Sequence, residues 1–146
     1  TTAPIKKGSK FKMEIKNATE CYIYIFTPDV NNKSIVLFPY KPIHSAYCGI
    51  TGYRLFPRKE SIMADDIGNK EIMAIVVGKQ QLDYNAVNNA INQSSHADYA
   101  AKVNEVFAAQ ATRNVAYSAG VNGSIVFNAP PADNNIITSI VEIDKQ

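Results

Sequence analysis

His44 and Cys48 stand four residues apart in one stretch that also holds Pro42, Gly49 and Gly52. A thiol beside an imidazole is the raw material of a nucleophile and its base. Such a pair needs a third group to orient the imidazole, and catalytic partners are usually distant in sequence. No orienting group stands near these two, so the residues read better as a structural pair. With Cys21 they also offer thiol and imidazole ligands, but the tight Cys-x-x-Cys spacing of a zinc site is absent. Asp65-Asp66-Ile67-Gly68-Asn69-Lys70-Glu71 gathers oxygen ligands around a glycine and faintly resembles a calcium loop. It lacks the twelve-residue spacing of that loop and reads as a solvated connection. His96, near a helix start, reads as a surface residue. No cofactor and no metal is implied.

Tyrosine is the residue type whose distribution does point to a site. The chain has eight Tyr and no Trp. A tyrosine ring covers apolar area and keeps a polar tip, which suits both a core edge and a binding face. Tyr40, Tyr47 and Tyr53 cluster around the 41–52 stretch, with His44 and Arg54 beside them. This loop face is the expected contact surface for a protein or glycan partner. The alternative reading is that Tyr22 and Tyr24 are core and the loop tyrosines merely cover it.

The elements that must carry this loop begin with a hairpin. The stretch 20–27 is β-branched and aromatic, with Tyr22, Tyr24 and Phe26 on one face and Cys21, Ile23 and Ile25 on the other. Both faces are apolar, so the strand should be central and covered on both sides. Pro28 to Lys33 supplies the turn, Ser34 to Phe38 runs back, and Pro39 ends the pairing. Before the hairpin, Lys10 to Lys16 alternates charged and apolar residues, as a half-buried antiparallel strand does. After it come a short strand at Tyr53 to Phe56 and a buried strand at Lys70 to Gly78.

The period then changes. Leu82 to Gln93 reads as a helix with Asp83 near its start. Ser95 to Asp98 is a variant capping box opening a second helix to about Gln110, in which Tyr99, Val103, Val106 and Phe107 form a stripe. Period two returns at Val115 to Ala119, with an Asn122-Gly123 turn, Ser124 to Phe127, and a last strand from Ile136 to Ile143. The expected fold is mainly β, of α+β type: an antiparallel β-sandwich or open barrel with a two-helix insertion, about residues 82–111, on one side. Residues 1–8 read as a flexible N-terminal tether and residues 9–146 as a single domain.

Composition excludes some functions. The net charge of +2 gives no footprint for a dedicated nucleic-acid binder. Only Arg54, Arg58 and Arg113 are arginine, which weakens phosphate recognition further. No run approaches the roughly 20 apolar residues of a membrane span. Cys21 and Cys48 are too few for a disulfide scaffold; they admit one bridge in an oxidising compartment, or a buried thiol and a loop thiol.

Four short stretches carry a resemblance: Tyr22-Ile23-Tyr24, Leu37-Phe38-Pro39, Leu55-Phe56-Pro57 and Glu71-Ile72-Met73-Ala74-Ile75. Over about residues 8–85 the chain resembles the bacterial domain-of-unknown-function family 4384. Tyr40 stands where that family commonly has Asn, and Asn31-Asn32 replace the usual Gly of the central turn. The resemblance implies a β-rich accessory module, attached to other domains or exported to the cell envelope, with no catalytic residues. The resulting expectation is a non-enzymatic, exported recognition or assembly module, periplasmic or on the outer surface. The alternative is a small cysteine-dependent hydrolase using Cys48 and His44.

Overall fold

One strand, β3 (Cys21–Pro28), lies in the middle of everything else. The computed structural model describes residues 3–39, 41–49, 53–57, 59–111, 115–121, 125–128 and 136–146. Its main sheet has the order β11 (Ile136–Asp144), β8 (Lys70–Gly78), β3, β4 (Ser34–Phe38), with β5 (Tyr47–Cys48) also paired to β3. Every pairing in it is antiparallel. The fold is mainly β, with 43% strand and 16% helix and no closed barrel among the described residues.

The alternation along β3 sorts the core into two halves. Tyr24 and Phe26 join Ala74 and Val76 of β8 and Ile136 of β11 on one face. Helices α1 (Tyr84–Gln93) and α2 (Tyr99–Phe107) cover that face with Ile91, Tyr99, Val103 and Phe107. Ile23 and Ile25 join Met73 and Ile75 on the other face. Two ribbons cover it: β1 (Lys10–Phe11) with β7 (Ile62–Met63), and β2 (Met13–Lys16) with β6 (Tyr53–Phe56). They contribute Phe11, Met13, Ile15, Ile62 and Phe56. Ile23, Tyr24, Ile25 and Phe26 are each at most 1% exposed. Burying one such side chain stabilises by about 1.5–3 kcal/mol.

The helices are fastened by polar contacts as well as packing. The Asn92 amide of α1 accepts from the Ser34 backbone N–H (2.7 Å) and donates to the Ser34 carbonyl (2.9 Å). It thereby imitates a strand at the edge of β4. The Ser34 hydroxyl meets the Tyr99 hydroxyl of α2 at 2.9 Å, and burial pushes the Tyr99 phenol up to about 12. At the hairpin turn, Asp29 accepts from the N–H groups of Asn31 and Lys33, and Asn32 adopts φ +60°. The Asn32 amide then donates to the Ala97 carbonyl ahead of α2.

Three local details differ from the sequence reading. The 10–16 strand divides at Lys12, because its halves pair with different partners, β7 and β6. The second helix begins three residues later than expected: Asp98 is its cap, accepting from Ala101 N–H, and not the third residue of a box led by Ser95. Residues 5–8, expected as a tether, are tied down. Ile5 pairs in parallel with Lys145, Lys7 N–H donates to the Gln146 carbonyl, and Gly8 N–H to the Ala64 carbonyl. A second hairpin, β9 (Ala116–Ala119) with β10 (Ile125–Asn128), forms where expected, while its Asn122-Gly123 turn lies outside the described residues.

Lys145 closes the fold at its far end. Its side chain is 1% exposed. The ammonium donates to Asp65 Oδ1 (2.6 Å), the Ile67 carbonyl (2.7 Å) and Glu71 Oε1 (2.9 Å), with the Asp65 carbonyl at 3.3 Å. Its backbone N–H donates to the Asn69 carbonyl at 2.7 Å. The acidic loop that resembled a calcium site is thus wrapped around a cation belonging to the chain itself. Burial opposes the charged ammonium, but the hydrogen bonds to Asp65 and Glu71 outweigh it, and the Lys145 pKa lies above its ordinary 10.5. The hydrogen bond from Lys145 and that from the Ile67 N–H hold the Asp65 carboxyl below its ordinary 3.8.

Replacing Lys145 with Met should therefore cost about 1–2 kcal/mol in urea unfolding, because Glu71, the Ile67 carbonyl and the half-exposed Asp65 lose a charged donor. The linkage has two signs. Asp65 ionises more readily when folded, so its contribution is present above pH 3.8 and fades as pH falls through its depressed folded value. Lys145 holds its proton more tightly when folded, so its contribution is present below pH 10.5 and fades as pH rises through the raised value. Melting temperatures across pH should fall less steeply at both extremes for Lys145→Met than for the native chain. Parallel curves would contradict this account of the clamp.

Candidate binding cleft

The 41–48 segment is placed by two anchors. The Ile23 N–H of β3 donates to the Ala46 carbonyl at 2.9 Å, which starts the β3–β5 pairing. The Asn17 amide donates to the Gly49 carbonyl at 2.6 Å and holds the far end. Between them the chain turns, with His44 N–H donating to the Lys41 carbonyl. The segment stands off the helix-covered face of the main sheet and leaves a cleft of about 600 Å³.

Four tyrosines from three parts of the chain line this cleft: Tyr22 and Tyr24 of β3, Tyr47 of β5 and Tyr84 of α1. Tyr22 and Tyr47 are direct cross-strand partners, and their rings meet edge to face with centroids 5.6 Å apart. Aromatic pairs favour this geometry because a positive ring edge meets a negative ring face. Tyr24 and Tyr84 approach at 6.3 Å with a 36° tilt. The Tyr24 hydroxyl accepts the Leu82 N–H at 2.7 Å, fixing the entry to α1. Burial raises the Tyr24 pKa and outweighs that hydrogen bond, so the phenol stays protonated at neutral pH. His44, Ser45 and Gln81 add polar groups, and Pro42 and Ile43 form a rim on which Ile43 is 85% exposed. Among the described residues, none that lines the cleft is an Asp, Glu, Lys or Arg. The cleft therefore offers ring faces, hydroxyls and amides, which suits an uncharged partner surface with its own hydrogen-bonding groups.

The expected site residues separate. His44 and Tyr47 lie together in the cleft, and Tyr47 remains 39% exposed. Tyr53 and Arg54 belong to β6, opposite Lys16 and Ile15, in the ribbon layer that covers the other face of the sheet. Their side chains and Tyr40 lie outside the described residues. Cys48 is 3% exposed and sits in the ribbon-side core with Cys21 and Ile23, whereas His44 lines the opposite face. Successive residues of β5 point to opposite faces, so the strand that presents Tyr47 to the cleft turns Cys48 away from it. The structure thus does not gather Cys48 and His44 in one site. Tyr84 escaped the sequence reading because it enters from α1, and the helical stripe alone gives no sign that it meets Tyr24. The alternation that put Tyr22 and Tyr24 on one face did contain the signal for the cleft floor.

Tyr24→Phe should cost about 1–2 kcal/mol in urea unfolding, because the Leu82 N–H loses its acceptor. Tyr47→Ala should cost below about 1 kcal/mol, since the ring is 39% exposed and its edge contact with Tyr22 is partly solvated. A larger loss at Tyr47 than at Tyr24 would show that the loop supports the fold and is not merely carried by it.

The chain matches no family model, and neither a curated protein nor a solved structure matches it.

Proposed function

We propose that this chain is a non-enzymatic recognition or assembly module, exported to the bacterial cell envelope, that contacts a protein or glycan partner through its tyrosine-lined cleft. The observation that carries this reading is the convergence of Tyr22, Tyr24, Tyr47 and Tyr84 on one concavity of about 600 Å³ whose described lining holds no Asp, Glu, Lys or Arg. Tyrosines are effective recognition groups because they bury large, rigid area at small entropic cost and keep a hydroxyl for hydrogen bonding. Tyr22 and Tyr47 hold each other's rings in place, so less order has to be imposed on binding. The assignment to the envelope, and to an accessory role, rests on the resemblance described above. The recognition reading, as opposed to the location, is supported by the small net charge and by a cleft whose described lining holds no Lys or Arg to meet a phosphate. No helix among the described residues is long and apolar enough to cross a membrane.

The test is capture from an envelope fraction with the tagged chain as bait, run beside a panel of immobilised envelope glycans. The native chain should retain a partner, and Tyr47→Ala and Tyr84→Ala should each weaken retention by about tenfold or more, the scale of an interface anchor. Their melting temperatures should stay within a few degrees of the native value, which separates lost contact from lost fold. Retention unchanged in both variants would overturn the cleft as the contact surface.

A further inference from the structure

The register of the β3–β5 pair places the chain's two cysteines directly opposite one another, Cys21 against Cys48. Both side chains belong to the same ribbon-side core cluster, at 5% and 3% exposure. The hydrogen bond from Ile23 N–H to the Ala46 carbonyl marks that pair as a hydrogen-bonded one. Pairs alternate along an antiparallel ladder, so Tyr22 and Tyr47 form a non-hydrogen-bonded pair and Cys21 and Cys48 a hydrogen-bonded one. The Cα separation at such a pair is about 5.5 Å, within the range and close to the commonest value for a disulfide. Directly opposed Cβ atoms stand about 4.5–5.5 Å apart, against about 3.8 Å in a typical bridge. A hydrogen-bonded pair lies at the wide end of that range, so closure needs an approach of about 1.5 Å. The two-residue β5, paired only with β3 among the described strands, can supply that movement.

We infer that Cys21 and Cys48, held as thiols here, are a dithiol that closes to an intramolecular disulfide and stitches β5 to β3. The oxidant is a disulfide of another molecule, protein or low-molecular-weight. The Cys48 thiolate, on the short outer strand, attacks one sulfur of that disulfide and expels the other as a thiolate. The Cys21 thiolate then attacks the Cys48 sulfur and expels the remaining thiolate. The chain loses two electrons and two protons; the oxidant gains both and leaves as two thiols. Burial makes exchange slow in the native state, because β5 must lift before a reagent reaches either sulfur. Where the binding reading above holds, the bridge also fixes Tyr47, the neighbour of Cys48, against Tyr22.

Oxidised glutathione is the probe. The full chain is treated with it, both as the native protein and during refolding from denaturant, then alkylated in denaturant and analysed by intact mass and by digestion. The expected product takes up no alkylating reagent, is lighter by two hydrogens than the reduced chain, and yields a cross-linked peptide pair containing Cys21 and Cys48. Its melting temperature should rise by roughly 5–10 °C and return on reduction with dithiothreitol. Two alkylated cysteines after both treatments, or a persistent glutathione adduct, would overturn the inference. Tyr47→Ala should close the bridge as the native chain does, so a failed bridge and a failed binding surface give different results.

Discussion

A strand that is apolar on both faces cannot lie at the surface of a sheet. β3 imposes that constraint on the rest of the chain. Its even-numbered residues demand one cover and its odd-numbered residues another. The two helices supply the first and the short ribbons the second. The two covers differ in kind because they meet different surfaces. Tyr22, Tyr24 and Phe26 present large rings that helices can straddle, with room left beside them for a cleft. Cys21, Ile23 and Ile25 present a flatter aliphatic surface, on which Met13, Ile15 and Phe56 pack closely. The cleft is thus a by-product of how the ring-bearing face is only partly covered.

Polar contacts decide where the covers sit. Asn92 occupies the edge of β4 with a side-chain amide, so the helix pair doubles as a guard against edge-to-edge pairing there. Lys145 does comparable work at the opposite end. A buried ammonium without partners would be prohibitive, and here two acceptors from the 65–69 loop and Glu71 at the start of β8 surround it. The loop's negative groups would repel one another without it. Each side of the contact thus needs the other, and the last strand and the 65–71 loop are ordered together.

Much of the fold was legible because its signals are local. The alternation in Cys21 to Thr27, the apolar run at Lys70 to Gly78 and the cap at Asp83 each act within a few residues. What was not legible depends on pairing between distant segments. Nothing in Lys10 to Lys16 tells that Lys12 separates two ribbons. Nothing in Asp65 to Glu71 tells that its cation arrives from Lys145, a residue whose type ordinarily forecasts exposure. The loop tyrosines were expected to act together, yet Tyr47 and Tyr53 are carried by strands in different layers. Residue spacing along the chain could not separate them, because the division is made by which strand each one pairs with.

The parallel pairing of Ile5 with Lys145 has a mechanical consequence. Ile5 N–H donates to the Asp144 carbonyl, Gln146 N–H to the Ile5 carbonyl, and Lys7 N–H to the Gln146 carbonyl. Two segments that run in the same direction, pulled from opposite ends, slide along one another. Tension entering before Ile5 and leaving after Gln146 therefore meets these three hydrogen bonds in shear, where all of them resist at once, and not as a zipper that opens one bond at a time. A chain joined to neighbours on both sides would transmit pulling force across this seam while the cleft, built on the other strands, kept its shape.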